Sequence, residues 1–126
     1  DECTANRSAS NTPLQALVLL NDPSYVEAAR VLAELIMRAG GQTFAARAAW
    51  AFERALSRPP VPEEIAVLQS LWAAQRRRYE SDEPSARALL ATGTRPVPTD
   101  LPPADLAAWT AVARAVLNLH ETITRS

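Results

Sequence analysis

Asn11-Thr-Pro-Leu-Gln-Ala-Leu-Val-Leu-Leu-Asn-Asp-Pro23 carries two helix starts and one forced helix break within a single short stretch. Thr12 is placed to act as an N-cap, Pro13 suits the first helical position, and Gln15 follows Thr12 at the spacing of a capping box. Asn21-Asp22-Pro23 then repeats the start signal, so a short helix over Pro13–Leu20 must end where a longer one begins. Leu14, Leu17, Val18 and Leu20 cover most of the circumference of that short helix, which predicts that it is largely buried.

Helical punctuation of this kind continues along the chain, and composition agrees with it. The 126 residues suit one ordinary domain with one core. Only three are glycine, alanine takes about a fifth of positions, and no stretch alternates apolar and polar residues as a half-buried strand would. The expected fold is all-α, a compact bundle of about five to six helices with a proline-rich loop before the last. Residues 1–11 are polar and aperiodic and read as an extended lead-in.

From Pro23 a helix is expected to reach Ala39 and to stop at Gly40-Gly41, with Tyr25, Ala28, Ala29, Leu32, Leu35 and Ile36 as its apolar stripe. Glu27 and Arg30, and Glu34 and Arg38, stand at pairing distance on its polar side. The next helix runs from about Thr43 to Leu56 on a Phe44, Ala48, Phe52, Leu56 stripe, with Trp50 turned away from it. Ser57-Arg-Pro-Pro-Val-Pro62 breaks that helix. Glu63 and Glu64 open the following one, in which Ile65, Leu68, Leu71, Trp72 and Tyr79 form the apolar face. Ser81-Asp-Glu-Pro84 starts a short helix to about Ala91, with Ala86, Leu89 and Leu90 inward. Four prolines over residues 92–103 exclude regular structure there. A final helix over Pro103–Leu119 presents Leu106, Trp109, Ala113, Val116 and Leu117 to the earlier ones.

Charge and chemistry-bearing residues narrow the function classes. The net charge is −1 and the pI about 5.8, so no overall positive field attracts nucleic acid. All thirteen basic residues are arginine and most are scattered. Arg76-Arg77-Arg78 splay over about 200° of a helix and read as a solvated helix end rather than a phosphate-binding patch. Cys3 is the only cysteine and His120 the only histidine, which excludes an internal disulfide or a Cys/His metal cluster. His120-Glu121 reads as a helix-end pair in which the dipole favours a cationic imidazole. No glycine-rich phosphate loop is present, and no apolar run reaches the roughly 18–20 residues of a membrane span, so no membrane insertion is expected. The chain begins with Asp1, and it reads as a C-terminal fragment of a larger protein.

Three motifs in order carry a family resemblance. Asn11-Thr-Pro-Leu-Gln-Ala-Leu17 with Leu20-Asn-Asp-Pro23, then Leu56-Ser-Arg-Pro-Pro-Val-Pro-Glu-Glu64, then Ala108-Trp-Thr-Ala-Val-Ala-Arg-Ala-Val-Leu-Asn-Leu119 resemble the C-terminal part of the planctomycete-specific family catalogued as domain of unknown function 1553. The resemblance implies a multidomain exported protein with a further uncharacterised domain, often headed by a cytochrome-c-type domain with a Cys-x-x-Cys-His haem site. This chain has no such motif, so any haem belongs to another part of the protein. The family's closing Leu-Asn motif is followed here by Leu119, His120 and Glu121, with His120 in a variable slot. The family has no established catalytic residues, and none is assigned here.

The expectation from sequence is therefore a non-catalytic C-terminal helical module that packs on upstream domains or on a protein partner. The alternative is one wall of an enzyme active site completed upstream, for redox or polysaccharide chemistry. No catalytic, cofactor or metal residue is assigned. Asn11, Thr12, Pro13, Gln15, Asn21, Asp22, Pro23, Arg58, Pro59, Pro60, Trp109 and Asn118 are read as structural.

Overall fold

The computed structural model describes residues 22–125, with side chains described to residue 120. Asn11, Thr12, Pro13, Gln15, Asn21 and the short helix expected over residues 13–20 lie outside that range. Within it the chain is all-α, with five helices: α1 Pro23–Ala39, α2 Phe44–Leu56, α3 Pro62–Glu80, α4 Glu83–Leu90 and α5 Pro103–Arg125.

Local chemistry sets most of the boundaries. Asp22 is the N-cap of α1, its Oδ1 accepting from the Ser24 N–H at 2.8 Å and the Tyr25 N–H at 3.4 Å, with Pro23 at the first helical position. Thr43 caps α2 by accepting from the Ala46 N–H at 3.1 Å. Asp82 caps α4 in the same way through Ser85. Between α1 and α2, Gly41 takes the left-handed conformation at φ +95°, while Gly40 does not. Arg47 reaches back across this turn, donating from Nε to the Gly41 carbonyl at 3.0 Å and from Nη2 to the Met37 carbonyl at 3.3 Å. It thereby satisfies carbonyls that the end of α1 leaves without helical partners.

α5 is the central helix. Leu106, Ala107, Ala108, Trp109 and Thr110 are five consecutive buried residues, a pattern that only a helix covered on all sides shows. The Thr110 hydroxyl donates to the Leu106 carbonyl at 2.7 Å, so the one hydroxyl in this stretch is paired within its own helix. α1 and α3 both run antiparallel to α5. The end of α1 meets the start of α5 through Arg47, which bonds Met37 and lies over the Trp109 ring. The end of α3 meets the start of α5 through the Arg76–Asp105 ion pair. Trp109 stacks on Phe44 at 5.0 Å and tilts against Trp72 at 6.1 Å, so one aromatic cluster joins α2, α3 and α5. A single core cluster includes residues of all five helices.

Several expectations need correction. The inward face of α1 is Val26, Ala29, Arg30, Leu32, Ala33 and Ile36, whereas Ala28 is exposed and Leu35 is 36% exposed. The stripe is rotated because the loop before α5 covers one flank of α1 and takes Arg30 with it. Glu34 pairs with Arg30, and Arg38 pairs with Asp100. Trp50 is half-buried against the core edge, with the Arg54 guanidinium 5.2 Å from its ring centre. The last helix does not stop at Leu119, since the residues that follow include no glycine or proline to end it. His120 is accordingly interior to a helix rather than at its end.

Candidate functional site

The twelve residues between α4 and α5 have no regular structure, yet they follow one defined path along α1. Pro96, Pro98 and Pro102 lack backbone donors and fix φ at their own positions. What holds the segment is a row of charged side chains on α1. Glu27 Oε2 accepts from the Thr94 N–H at 2.8 Å and the Arg95 N–H at 2.5 Å. One turn on, Arg30 donates from Nη2 to the Arg95 carbonyl at 3.0 Å and from Nη1 to the Pro96 carbonyl at 3.1 Å. Arg30 Nη1 also binds Glu34 Oε2 at 2.6 Å. Near the end of α1, Arg38 grips Asp100 with two bonds of 2.8 and 3.0 Å.

Arg30 is the centre of this arrangement and is 1% exposed. A guanidinium that deep needs both charge compensation and filled donors. Glu34 supplies the first, with Glu27 at 3.9 Å, and the two loop carbonyls supply much of the second. Its Nε has no partner among the described residues. Gly93 permits the close approach, since its φ is +100° and a Cβ there would overlap the Glu27 carboxylate.

The loop held in this way forms one wall of a notch of about 380 Å³, whose other wall is α4. Leu90, Val97, Pro98 and Leu101 make its apolar surface, and Arg87 and Thr99 contribute polar groups. Val97 is 37% exposed, an apolar side chain left at the surface on a loop fixed from beneath.

The titratable groups whose pKa is shifted are engaged in structure. Arg58 binds Glu64 with two bonds of 2.9 and 2.8 Å, donates to the Pro59 carbonyl at 3.1 Å, and lies 5.2 Å from the Phe52 ring centre. Glu64 also accepts from the Val61 N–H at 2.9 Å, the reciprocal half of a capping box whose N-cap residue, a valine, has no acceptor of its own. These bonds, Arg58 first, bring the Glu64 carboxyl from 4.5 to about 2. Arg38 holds Asp100 below the usual carboxylate range, and Ser85 does the same for Asp82. Each resolved carboxylate shift is downward, the opposite of what poises a carboxyl as a general acid. Among the described residues no group of three His, Cys, Asp or Glu side chains converges to hold a metal ion. No helix among them is long and apolar enough to cross a membrane.

Of the residues read as structural from sequence, Asp22 and Pro23 start α1, Arg58 and Pro59 share the Glu64 knot, and Trp109 anchors the aromatic cluster. Pro60 lies half-buried in the same turn. Asn118 is half-buried on α5, about nine residues from Trp109 in the chain and facing the surface concavities between α3 and α5. Arg76 is not a solvated helix end, since it pairs with Asp105 and with Glu80 at 2.7 Å and lies 6.0 Å from the Trp72 ring centre. Arg30, Gly93 and Asp100 had no local signal, because their partners lie far away in sequence.

No curated protein and no solved structure matches the chain. Residues 1–72, more than half of its length, match the family described as Protein of unknown function (DUF1553). The chain therefore belongs to the DUF1553 family.

Proposed function

We propose that this chain is a non-catalytic helical docking module, and that the notch between α4 and the proline loop receives an apolar side chain from a neighbouring domain or a protein partner. The observation that carries this reading is the burial of Arg30 beneath the loop. A buried guanidinium bound to two loop carbonyls fixes the shape of a segment that otherwise lacks hydrogen-bonding structure. A surface fixed before binding loses less conformational entropy when a partner arrives. The downward-shifted carboxylates support the non-catalytic half of the reading, since they serve as anions for arginine and for helix caps.

In this reading the module belongs to a multidomain exported bacterial protein, as the family resemblance implies, and packs on that protein's upstream domains. Any haem then resides in one of those domains. Amide hydrogen exchange tests the docking surface directly. Residues 90–101 should exchange more slowly in the full-length polypeptide than in the 126-residue chain, and Val97→Asp in the full-length protein should remove the difference. Equal exchange at 90–101 in both would reject the notch as the docking surface.

A further inference from the structure

A second concavity, separate from the notch, lies between α3 and α5 and encloses about 390 Å³. Phe52, Val67, Leu68 and Leu119 make most of its apolar surface. Among the described residues, the only charged side chains that line it are the carboxylates of Glu63 and Glu64. We propose that this groove receives a basic amphipathic helix of a protein partner. An apolar side chain of that helix sits on Val67 and Leu119, and an arginine or lysine one turn away pairs with Glu63.

Exposure singles out this end of α3. Val67 is 68% exposed and Val61 48%, the two highest values among the exposed large apolar side chains described. They stand six positions apart at the start of α3, so exposed apolar surface is concentrated there rather than scattered.

The two carboxylates decide the chemistry of the occupant. Glu64 is already satisfied, by two bonds from Arg58 of 2.9 and 2.8 Å and by the Val61 N–H at 2.9 Å. Glu63 has no hydrogen bond or ion pair among the described residues, and no cationic side chain of theirs lines the groove. A purely apolar occupant would strip water from the Glu63 carboxylate and put nothing in its place. A cationic side chain beside the apolar one removes that penalty. Residues three or four apart on a helix present both groups on one face, and a groove between two helices accepts such a face.

The probe is a helical peptide of about 14 residues with leucine on one face and lysine on the other, titrated into the methyl-labelled full chain. Methyls of Val67, Leu68 and Leu119 should shift to saturation. A peptide with glutamate in place of lysine should bind about fivefold more weakly or worse. Glu63→Gln should cut that preference to about twofold or less, whereas Glu53→Gln, an exposed acid that does not line the groove, should leave it intact. Unmoved groove methyls, equal affinity for the two peptides, or equal effects of the two substitutions would each overturn the proposal. So would NOEs, in the peptide-free protein, from the Val67 methyls to a second copy or to parts of the chain outside α2, α3 and α5, because the groove would then be filled already.

Discussion

Arg30 and Arg95 stand 65 positions apart, and the guanidinium of the first donates a 3.0 Å hydrogen bond to the backbone carbonyl of the second. The same guanidinium binds the Pro96 carbonyl and the Glu34 carboxylate. One side chain on α1 thus fixes the loop that forms a wall of the notch, and the module's surface depends on a residue beneath it.

Replacing Arg30 by methionine keeps the apolar stem and removes the donors. Stability should fall by about 2–3 kcal/mol, and exchange at residues 93–98 should rise well above the rest of the protein. Arg30→Lys should not restore either property, because a compact ammonium cannot reproduce the fork that spans Glu34 and two carbonyls. Chemical denaturation with residue-resolved exchange checks both variants.

Gly93→Ala is expected to strain the same loop from the opposite side. The added Cβ meets the Glu27 carboxylate at a φ of +100° that alanine rarely adopts. A cost of about 1–3 kcal/mol is expected, with loss of protection at Thr94 and Arg95, measured by thermal unfolding and exchange.

Ser57 offers the converse case. It ends α2 at φ +58°, the one non-glycine residue with positive φ among those described. Ser57→Gly should stabilise the protein by about 0.5–1 kcal/mol in denaturant titration, since the relieved left-handed strain outweighs the added freedom of the unfolded chain.

Acid sensitivity should report on the Arg58–Glu64 knot. The Glu64 carboxyl titrates at about 2 when folded, below its ordinary 4.5. Its contribution is therefore complete above pH 4.5 and is lost as pH falls from 4.5 toward 2. Asp100 and Asp82, also shifted downward, act in the same direction. Glu64→Gln should lower Tm at neutral pH and flatten its decline between pH 4.5 and 2, which thermal scans across that window measure.

Trp109 should be the most costly single truncation among the aromatic residues. It is 1% exposed and touches Phe44, Trp72 and the Arg47 guanidinium. Trp109→Ala should cost about 3–5 kcal/mol and abolish the near-ultraviolet circular dichroism of the cluster, whereas Trp109→Phe should retain part of both.

Sequence alone determined the α-helical class, the boundaries at Asp22, Thr43 and Asp82, the proline loop and the family. Those features rest on bonds between residues three or four apart, or on the missing donor of proline, and leave a local pattern. Tertiary structure decided which arginine is buried, where the loop runs, that α5 is enclosed on every side over Leu106–Thr110, and that Arg76 belongs to Asp105. Arg30 stands at a polar position of α1 when its neighbours alone are considered. Only the loop folded over that flank supplies the carbonyls that make its burial tolerable. The physical reason is that a long charged side chain takes its environment from whatever packs on it, and here that partner is 65 residues away.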